Sequence, residues 1–273
     1  MSTYVFDHAL ELERQRLGKL EEWLDPGTIR YLDQIGAGPG WRCLEVAAGA
    51  GSITRELSAR VGPDGYVLAT DLDLKFLDDI DLPNVEVRKH DIVNDDLPES
   101  TFDLVHTRLL LMHLAGRDEA LKRMVAASKP GGIVFVEDME MMTWVNVTPA
   151  PAMDRVRDAL FKLFEMATAN PFYGRTLPLV LTEAGLEDVW VEGRVAWGYR
   201  WDNPGLQMLK LMLMEMREFL VNTGLASGED IDDAVKTVDD PAWLGMPPMV
   251  VAAYGRKPVS SSGKPPASSG SRG

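Results

Sequence analysis

The sequence predicts an α/β fold in which a parallel β-sheet carries helices on both faces. Short apolar segments that fit strands recur along the chain and alternate with helical patterns. Strands joined by helical crossovers form parallel sheets. A glycine-rich turn follows the first of these segments, and open parallel sheets bind ligands at the carboxyl ends of their strands.

Two helices are expected before the first strand. Leucines recur at helical spacing over 7–23, and Asp25-Pro26 predicts the N-cap and first residue of a second helix. Lys129-Pro-Gly-Gly predicts a tight turn into the fifth strand. A helix is predicted over 52–61, and the predicted strands are 41–46, 66–70, 85–88, 102–106, 133–137, 189–195 and 249–254.

The alternation stops after Asp138, where helical patterns cover 152–169, 177–184 and 206–222. The pattern over 206–222 is apolar on every side, so we expect it to pack against the core or a substrate. These patterns predict two helical insertions, 139–186 and 203–245, within one domain spanning 1–258. The Ser-, Gly- and Pro-rich segment 259–273 cannot build a core and is expected to be disordered.

Composition narrows the class of protein. With 45% hydrophobic and 26% charged residues in 273, the chain fits an ordinary globular protein. Its net charge of −14 and the lack of a long basic segment argue against nucleic-acid binding. A single cysteine, Cys43, and no apolar stretch of the ~18 residues that a membrane span needs predict a cytoplasmic protein without membrane association.

The most informative motif is LEVAAGAGS, residues 44–52, between the first strand and the next helix. Gly49 and Gly51 allow close approach of a ligand to the backbone, and Glu45 provides a hydrogen-bond acceptor at the strand end. Thr54 stands where a dinucleotide motif has its third glycine, which weakens a pyrophosphate interpretation. An acid before the glycines suits the ammonium group of S-adenosylmethionine, the cofactor we predict.

Further polar residues follow the later strands. Asp71, which precedes Leu72, can accept hydrogen bonds from both hydroxyls of a ribose, or it can cap the next helix. Asp91 can meet an adenine amino group while Ile92 packs on the ring. The segment TFDLVHTRLLLMHL places three more polar residues, His106, Thr107 and Arg108, at the end of the predicted fourth strand. Leu72, His106 and Thr107 complete the predicted cofactor contacts at these strand ends.

This series of motifs resembles the class I (Rossmann-like) S-adenosylmethionine-dependent methyltransferases, especially small-molecule enzymes related to those of ubiquinone and menaquinone biosynthesis. The resemblance covers roughly 4–258 and implies a seven-stranded, doubly wound sheet whose last strand, matched by VVAAYGRKP, is antiparallel. It implies that Glu45, Gly49 and Gly51 hold the methionyl end, Asp71 the ribose, and Asp91 with Ile92 the adenine.

The sequence departs from the family's pattern at one position, and its N-terminal segment resembles one further element of the family. Ala47 replaces the first glycine of the usual GxGxG, which predicts that the cofactor binds more weakly or in a shifted position. Residues 1–38 resemble an N-terminal helical lid that offers Tyr4 to the cofactor; a plain surface helix is the alternative.

The catalytic groups are less evident. His113, Asp138 and His8 are candidate bases, with a packing role as the alternative for His113, and no histidine follows His113. Methyl transfer gains much of its rate from holding the nucleophile in line with the methyl group, so a base is required only for some acceptors. Asp91, Asp138 and Glu140 lack a diagnostic metal spacing, and no metal is predicted.

Aromatic and sulfur-containing side chains crowd the two insertions and predict a pocket for a small, largely apolar acceptor. They are Trp144, Phe161, Phe164, Phe172, Tyr173, Met212 and Met216. A core or homodimer face is the alternative explanation. The resemblance implies methyl transfer to this acceptor; a non-methyl reaction such as a cyclisation, or a non-catalytic cofactor-binding subunit, are the competing hypotheses, because fold does not fix chemistry.

Overall fold

A computed structural model describes the backbone of residues 3–195 and 203–259, and side chains from residue 10 onward. The side chains of Tyr4 and His8, and the predicted disordered tail beyond 259, lie outside the described residues. The helices are α1 (Thr3–Ile35), α2 (Ser52–Val61), α3 (Arg117–Ala127), α4 (Pro151–Met166), α5 (Leu177–Glu183), α6 (Pro204–Asn222) and α7 (Gly228–Asp239). The strands are β1 (Arg42–Val46), β2 (Tyr66–Asp71), β3 (Val85–Lys89), β4 (Phe102–Arg108), β5 (Ser128–Glu140), β6 (Val145–Asn146), β7 (Glu187–Arg194), β8 (Gly245–Met246) and β9 (Met249–Arg256).

Within the described residues the main sheet has seven strands in the order β3-β2-β1-β4-β5-β9-β7. Strands β1 to β5 are parallel, and β9 lies antiparallel between β5 and β7. The predicted doubly wound sheet with an antiparallel last strand is therefore confirmed. Because both faces are covered, neighbouring residues of β1 enter different cores: Cys43 packs with Tyr31 and Leu57, whereas Leu44 packs with Leu121.

The N-terminal region is one helix rather than the two predicted. Helix α1 continues through Pro26, and the Asp25 carboxylate, expected to cap a second helix, instead accepts hydrogen bonds from Ser52 Oγ at 3.1 Å and Arg108 Nη2 at 2.8 Å. A proline inside a helix removes one backbone donor and its ring crowds the carbonyl four residues earlier, at a cost of about 3 kcal/mol. Buried side chains on both sides of it, Trp23 and Tyr31 among them, hold the helix against the rest of the protein.

The segment 129–132 also differs from its prediction, because it lies within β5 instead of forming a turn before it. The pairing of β4 with β5 shifts register between Phe102 and Leu104. Gly131 N donates to Lys257 O at 2.7 Å, and Lys257 N donates to Gly132 O at 2.9 Å. These bonds to the residue just after β9 extend the strand pairing through the two glycines.

Helices α4, α6 and α7 form a separate apolar cluster, the cap. Its buried members include Trp144, Met153, Leu160, Leu209, Leu213, Leu220, Ile231 and Trp243. Helix α6 also packs along α1. The division into one domain with two insertions stays a prediction. Over residues 3–195 and 203–259, the helices are too short or too polar to cross a membrane.

Candidate functional site

A cavity of about 890 Å³ lies between the carboxyl ends of β1, β2 and β4, helix α1 and the cap. One end is polar and meets the turn after β1. Its wall includes Glu21, Glu45, Ala47, Gly49, Asp71 and Arg108. The opposite end is mostly apolar, with Met112, Met139, Trp144, Phe164, Met212, Met216, Phe219 and Pro248 in its wall. A single space therefore joins four of the predicted cofactor residues, Glu45, Ala47, Gly49 and Asp71, to part of the predicted acceptor pocket.

The turn after β1 needs left-handed backbone at three positions. The φ angles are 59° at Ala47, 61° at Gly49 and 82° at Gly51. The left-handed φ favours glycine at Gly51, where a Cβ atom would also come within 2.5 Å of Ile80 Cδ1, the end of a flexible side chain. Ala47 adopts the conformation that the missing glycine would favour, so the substitution preserves the turn at a cost of about 1–2 kcal/mol in backbone strain.

Asp71 ties the turn to the end of β2. Its Oδ2 accepts the Gly49 N–H at 3.0 Å, and its Oδ1 accepts the Asp73 N–H at 3.1 Å. The side chain is half-buried and lines the cavity. The carboxylate thus positions the glycine-rich turn and also lines the cavity.

Glu45 lies at the floor of the cavity, where it is 4% exposed. The Thr54 hydroxyl donates a hydrogen bond to its Oε2. Burial raises the pKa of Glu45, an effect that nearby His106 and the Thr54 hydroxyl partly oppose. Thr54, at the position of the missing third glycine, therefore stabilises the carboxylate of Glu45, the acid that precedes the glycines.

Two polar residues of this end were not among the predicted cofactor contacts. Glu21, from α1, lines the cavity, and its Oε1 accepts the Ser52 N–H at 3.3 Å. Arg108, at the end of β4, lines it as well and donates to Thr28 Oγ1 at 2.9 Å and Asp25 Oδ1 at 2.8 Å. The sequence offered a weak signal for Arg108, its place at a strand end.

His113 lies in the wall of the cavity, on a 3₁₀ turn formed by Leu111–His113. Its ring is exposed to the cavity, with its centroid 6.0 Å from that of Phe164. Desolvation by the surrounding protein, and then the charge of Arg117, lower the pKa of His113. The imidazole is therefore neutral at pH 7 and able to accept a proton.

Asp138 is fully buried and does not line the cavity. Its Oδ2 accepts the Met112 N–H at 3.3 Å, while Oδ1 has no partner among the described residues. Burial raises the pKa of Asp138 to about 8. The side chain holds the turn that carries His113 and does not itself reach the acceptor space.

The structure places six other predicted cofactor residues outside the cavity wall: Gly51, Leu72, Asp91, Ile92, His106 and Thr107. Leu72 is 57% exposed and Ile92 is buried. The Asp91 carboxylate accepts the Val93 N–H at 2.9 Å. His106 is buried in β4, 3.4 Å from Glu137 Oε2, and Thr107 donates to Val46 O at 2.8 Å. Their roles toward a cofactor stay predictions.

Of the aromatic and sulfur-containing residues predicted for the acceptor pocket, Trp144, Phe164, Met212 and Met216 line the cavity. Phe161, Phe172 and Tyr173 pack behind this wall, with 5.6 Å between the ring centroids of Phe161 and Phe172. Across the side chains of residues 10–195 and 203–259, histidine, cysteine and carboxylate groups form no cluster of three or more that could hold a metal ion.

Residues 43–132 match a protein family described as "Methyltransferase domain". Methyltransferase str2 of Strobilurus tenacellus is 28% identical over 169 residues, 61% of either chain. The ubiquinone/menaquinone biosynthesis C-methyltransferase UbiE of Pseudomonas paraeruginosa is 33% identical over 113 residues, 38% of this chain and 44% of UbiE. The chain thus spans less than two thirds of the length of these relatives.

Among solved structures, the fold is similar to phosphoethanolamine N-methyltransferase 2 of Haemonchus contortus in complex with S-adenosyl-L-methionine. The TM-score is 0.52 and the sequence identity 17%, over 81% of this chain and 49% of the other. At this identity the similarity concerns the fold alone.

Proposed function

We propose that this chain, which belongs to the class I S-adenosylmethionine-dependent methyltransferases, transfers a methyl group from S-adenosylmethionine to a small, largely apolar organic acceptor. The observation that carries the proposal is the continuous cavity of about 890 Å³. It joins a glycine-rich turn at the strand ends to a wall of methionine and aromatic side chains.

The polar end fits the chemistry of this cofactor. Asp71 faces the cavity from the end of β2, where it can accept hydrogen bonds from ribose hydroxyls. The carboxylates of Glu21 and Glu45 suit positive charge, and the guanidinium of Arg108 suits negative charge. The methionyl group carries both. When bound, S-adenosylmethionine supplies an electrophilic methyl group on sulfur.

The apolar end supports an acceptor held mainly by burial of its apolar surface. Trp144, Met212 and Met216 offer few polar atoms, so contacts there orient the acceptor by shape. Positioning of this kind favours in-line displacement. His113 is exposed to the same space and serves at most as an auxiliary base for an acceptor atom that carries a proton.

The first experiment measures cofactor binding by calorimetry and methyl transfer by release of S-adenosylhomocysteine. Binding of S-adenosylmethionine and turnover with phenols or quinols, but not with nucleosides or amino acids, are expected. Tighter binding of a nicotinamide dinucleotide, or turnover confined to the hydrophilic acceptors, contradicts the proposal.

The second experiment tests the acceptor wall with a matched pair of substitutions on α6. Met216→Trp fills part of the cavity, whereas Met214, 46% exposed on the same helix, lies outside the wall. Met216→Trp is expected to change the preference between small and large acceptors, and Met214→Trp to leave it unchanged. Equal preferences in both variants argue against an acceptor at this wall.

A further inference from the structure

Methionine side chains are concentrated around the cavity. The chain has 14 methionines, and seven of them lie in the described part of the wall. Three come from α6, and the other four are Met112, Met139, Met141 and Met246. Half of the methionines of the protein therefore surround one space.

The methionines of α6 form a row that faces the cavity. Met208, Met212 and Met216 are four residues apart, which places them one above another along the helix. All three are partly exposed and line the cavity. Leu213 and Leu220 are fully buried in the cap and do not line it. Leucine thus supplies the fully buried positions of the helix, and methionine supplies the partly exposed positions beside the cavity.

This row of methionines can change its shape. A methionine side chain is unbranched, has three rotatable bonds and carries a polarisable sulfur, so it fits neighbours of different shape. Leucine is close to it in volume but branches at Cγ and has fewer rotamers. Because Met208, Met212 and Met216 are only partly buried, they have room to change rotamer. The α6 side of the cavity is therefore adaptable.

The two tryptophans of the cap that line the cavity are held in place instead. Trp243 is 8% exposed, and its Nε1 donates to Asn146 Oδ1 at 3.0 Å. Trp144 is 6% exposed and packs edge-to-face with Phe161, with 6.4 Å between the ring centroids. The apolar end of the cavity thus combines fixed aromatic rings with a row of thioether side chains that can rearrange.

We propose that Met208, Met212 and Met216 make the acceptor site adaptable, so that one protein binds acceptors whose apolar substituents differ in shape. The inference rests on the proposed function and adds to it a breadth of acceptors. Flexible, methionine-rich surfaces bind varied partners because they repack around each one. In an ordinary hydrophobic pocket, one methylene more or less changes specificity by about 10- to 200-fold. A wall that rearranges reduces such differences.

The four 4-butylphenols, with n-butyl, isobutyl, sec-butyl and tert-butyl groups, have the same composition and differ only in the shape of the alkyl group. Calorimetry in the presence of S-adenosylhomocysteine measures their affinities without methyl transfer. For the unmodified protein we expect the four affinities to lie within about tenfold of one another. A wider spread, or binding of none of them, overturns the inference. Failure of every phenol and quinol to be methylated contradicts the proposed function, whereas the spread of affinities tests this inference alone.

A triple variant, Met208→Leu with Met212→Leu and Met216→Leu, keeps the volume of the wall but removes much of its flexibility. We expect the spread of the four affinities to exceed about tenfold, because a stiffer wall fits one shape best. Affinity ratios within one sample cancel any loss that is common to all four isomers. A spread that stays within tenfold in the folded triple variant overturns the inference.

The matched control replaces three methionines that lie outside the wall and are 61%, 67% and 46% exposed: Met142→Leu, Met166→Leu and Met214→Leu. Its spread should equal that of the unmodified protein, and an equal widening in the control contradicts the role of the α6 row. The affinity of each variant for S-adenosylhomocysteine reports an intact cofactor site. If the triple variant does not fold, the single variants Met212→Leu and Met216→Leu replace it, and an unchanged spread in both overturns the inference.

Discussion

Replacing Asp138 by asparagine is expected to change how stability depends on pH. The carboxyl group is fully buried and its pKa is raised to about 8, whereas an unfolded chain would titrate it at about 3.9. Between these values the unfolded state loses the proton and the folded state keeps it. Stability therefore falls as pH rises through this window.

The size of the effect follows from the two pKa values. Each pH unit within the window costs about 1.36 kcal/mol of stability. From pH 5 to pH 8 the sum is about 3 to 4 kcal/mol, with the slope halved as pH approaches the folded pKa. Asparagine has no such titration, and its amide oxygen can still accept the Met112 N–H that Asp138 accepts now.

The assay is urea unfolding of the wild type and Asp138→Asn at pH 5, 6, 7 and 8. The stability difference should move in favour of the variant by about 3 to 4 kcal/mol across this range. Asp64→Asn, at an exposed position between α2 and β2, is the matched control and should run parallel to the wild type. Parallel curves for Asp138→Asn as well would refute the reasoning.

Two other substitutions test the turn and the candidate base. Ala47→Gly should stabilise the protein by about 1 kcal/mol, because it relieves left-handed backbone at alanine; a thermal melt that shows no gain, or a loss, contradicts this explanation of the turn. His113→Ala should lower kcat by less than the 10²–10⁴-fold expected for loss of a general base, because positioning supplies most of the rate. A selective collapse of kcat in a folded variant, with cofactor affinity unchanged, would make His113 the base.

The sequence was most informative where one local pattern decides the structure. Apolar runs located the strands of the main sheet because a sheet covered on both faces needs them. The predictions at Pro26 and over 129–132 were wrong because tertiary contacts outweighed the local preferences. Side-chain packing allows α1 to continue through the proline, and hydrogen bonds to Lys257 place the two glycines in β5.

In the candidate site too, residues that a local pattern positions could be predicted, and residues that tertiary contacts position could not. Glu45 and Asp71 could be found because they stand at strand ends next to the glycines. The sequence could not distinguish Glu21 from Glu22. Glu21 faces the cavity and Glu22 is exposed because of the orientation in which α1 packs against the rest of the protein. The contact between Asp25 and Arg108 joins residues 83 positions apart, a separation that no local pattern reveals.

The place of β9 in the sheet has a consequence for how the protein is made. Ribosomal synthesis delivers β1 to β5 and β7 before β9, yet β9 lies between β5 and β7 and hydrogen-bonds to both. Until β9 emerges, β5 and β7 each present an unpaired edge, and β5 is a long, largely buried strand. Exposed apolar edges favour aggregation. Nascent chains that stall or terminate before Met249 therefore lack the strand that joins the two parts of the sheet, and we expect them to depend on chaperones or be degraded.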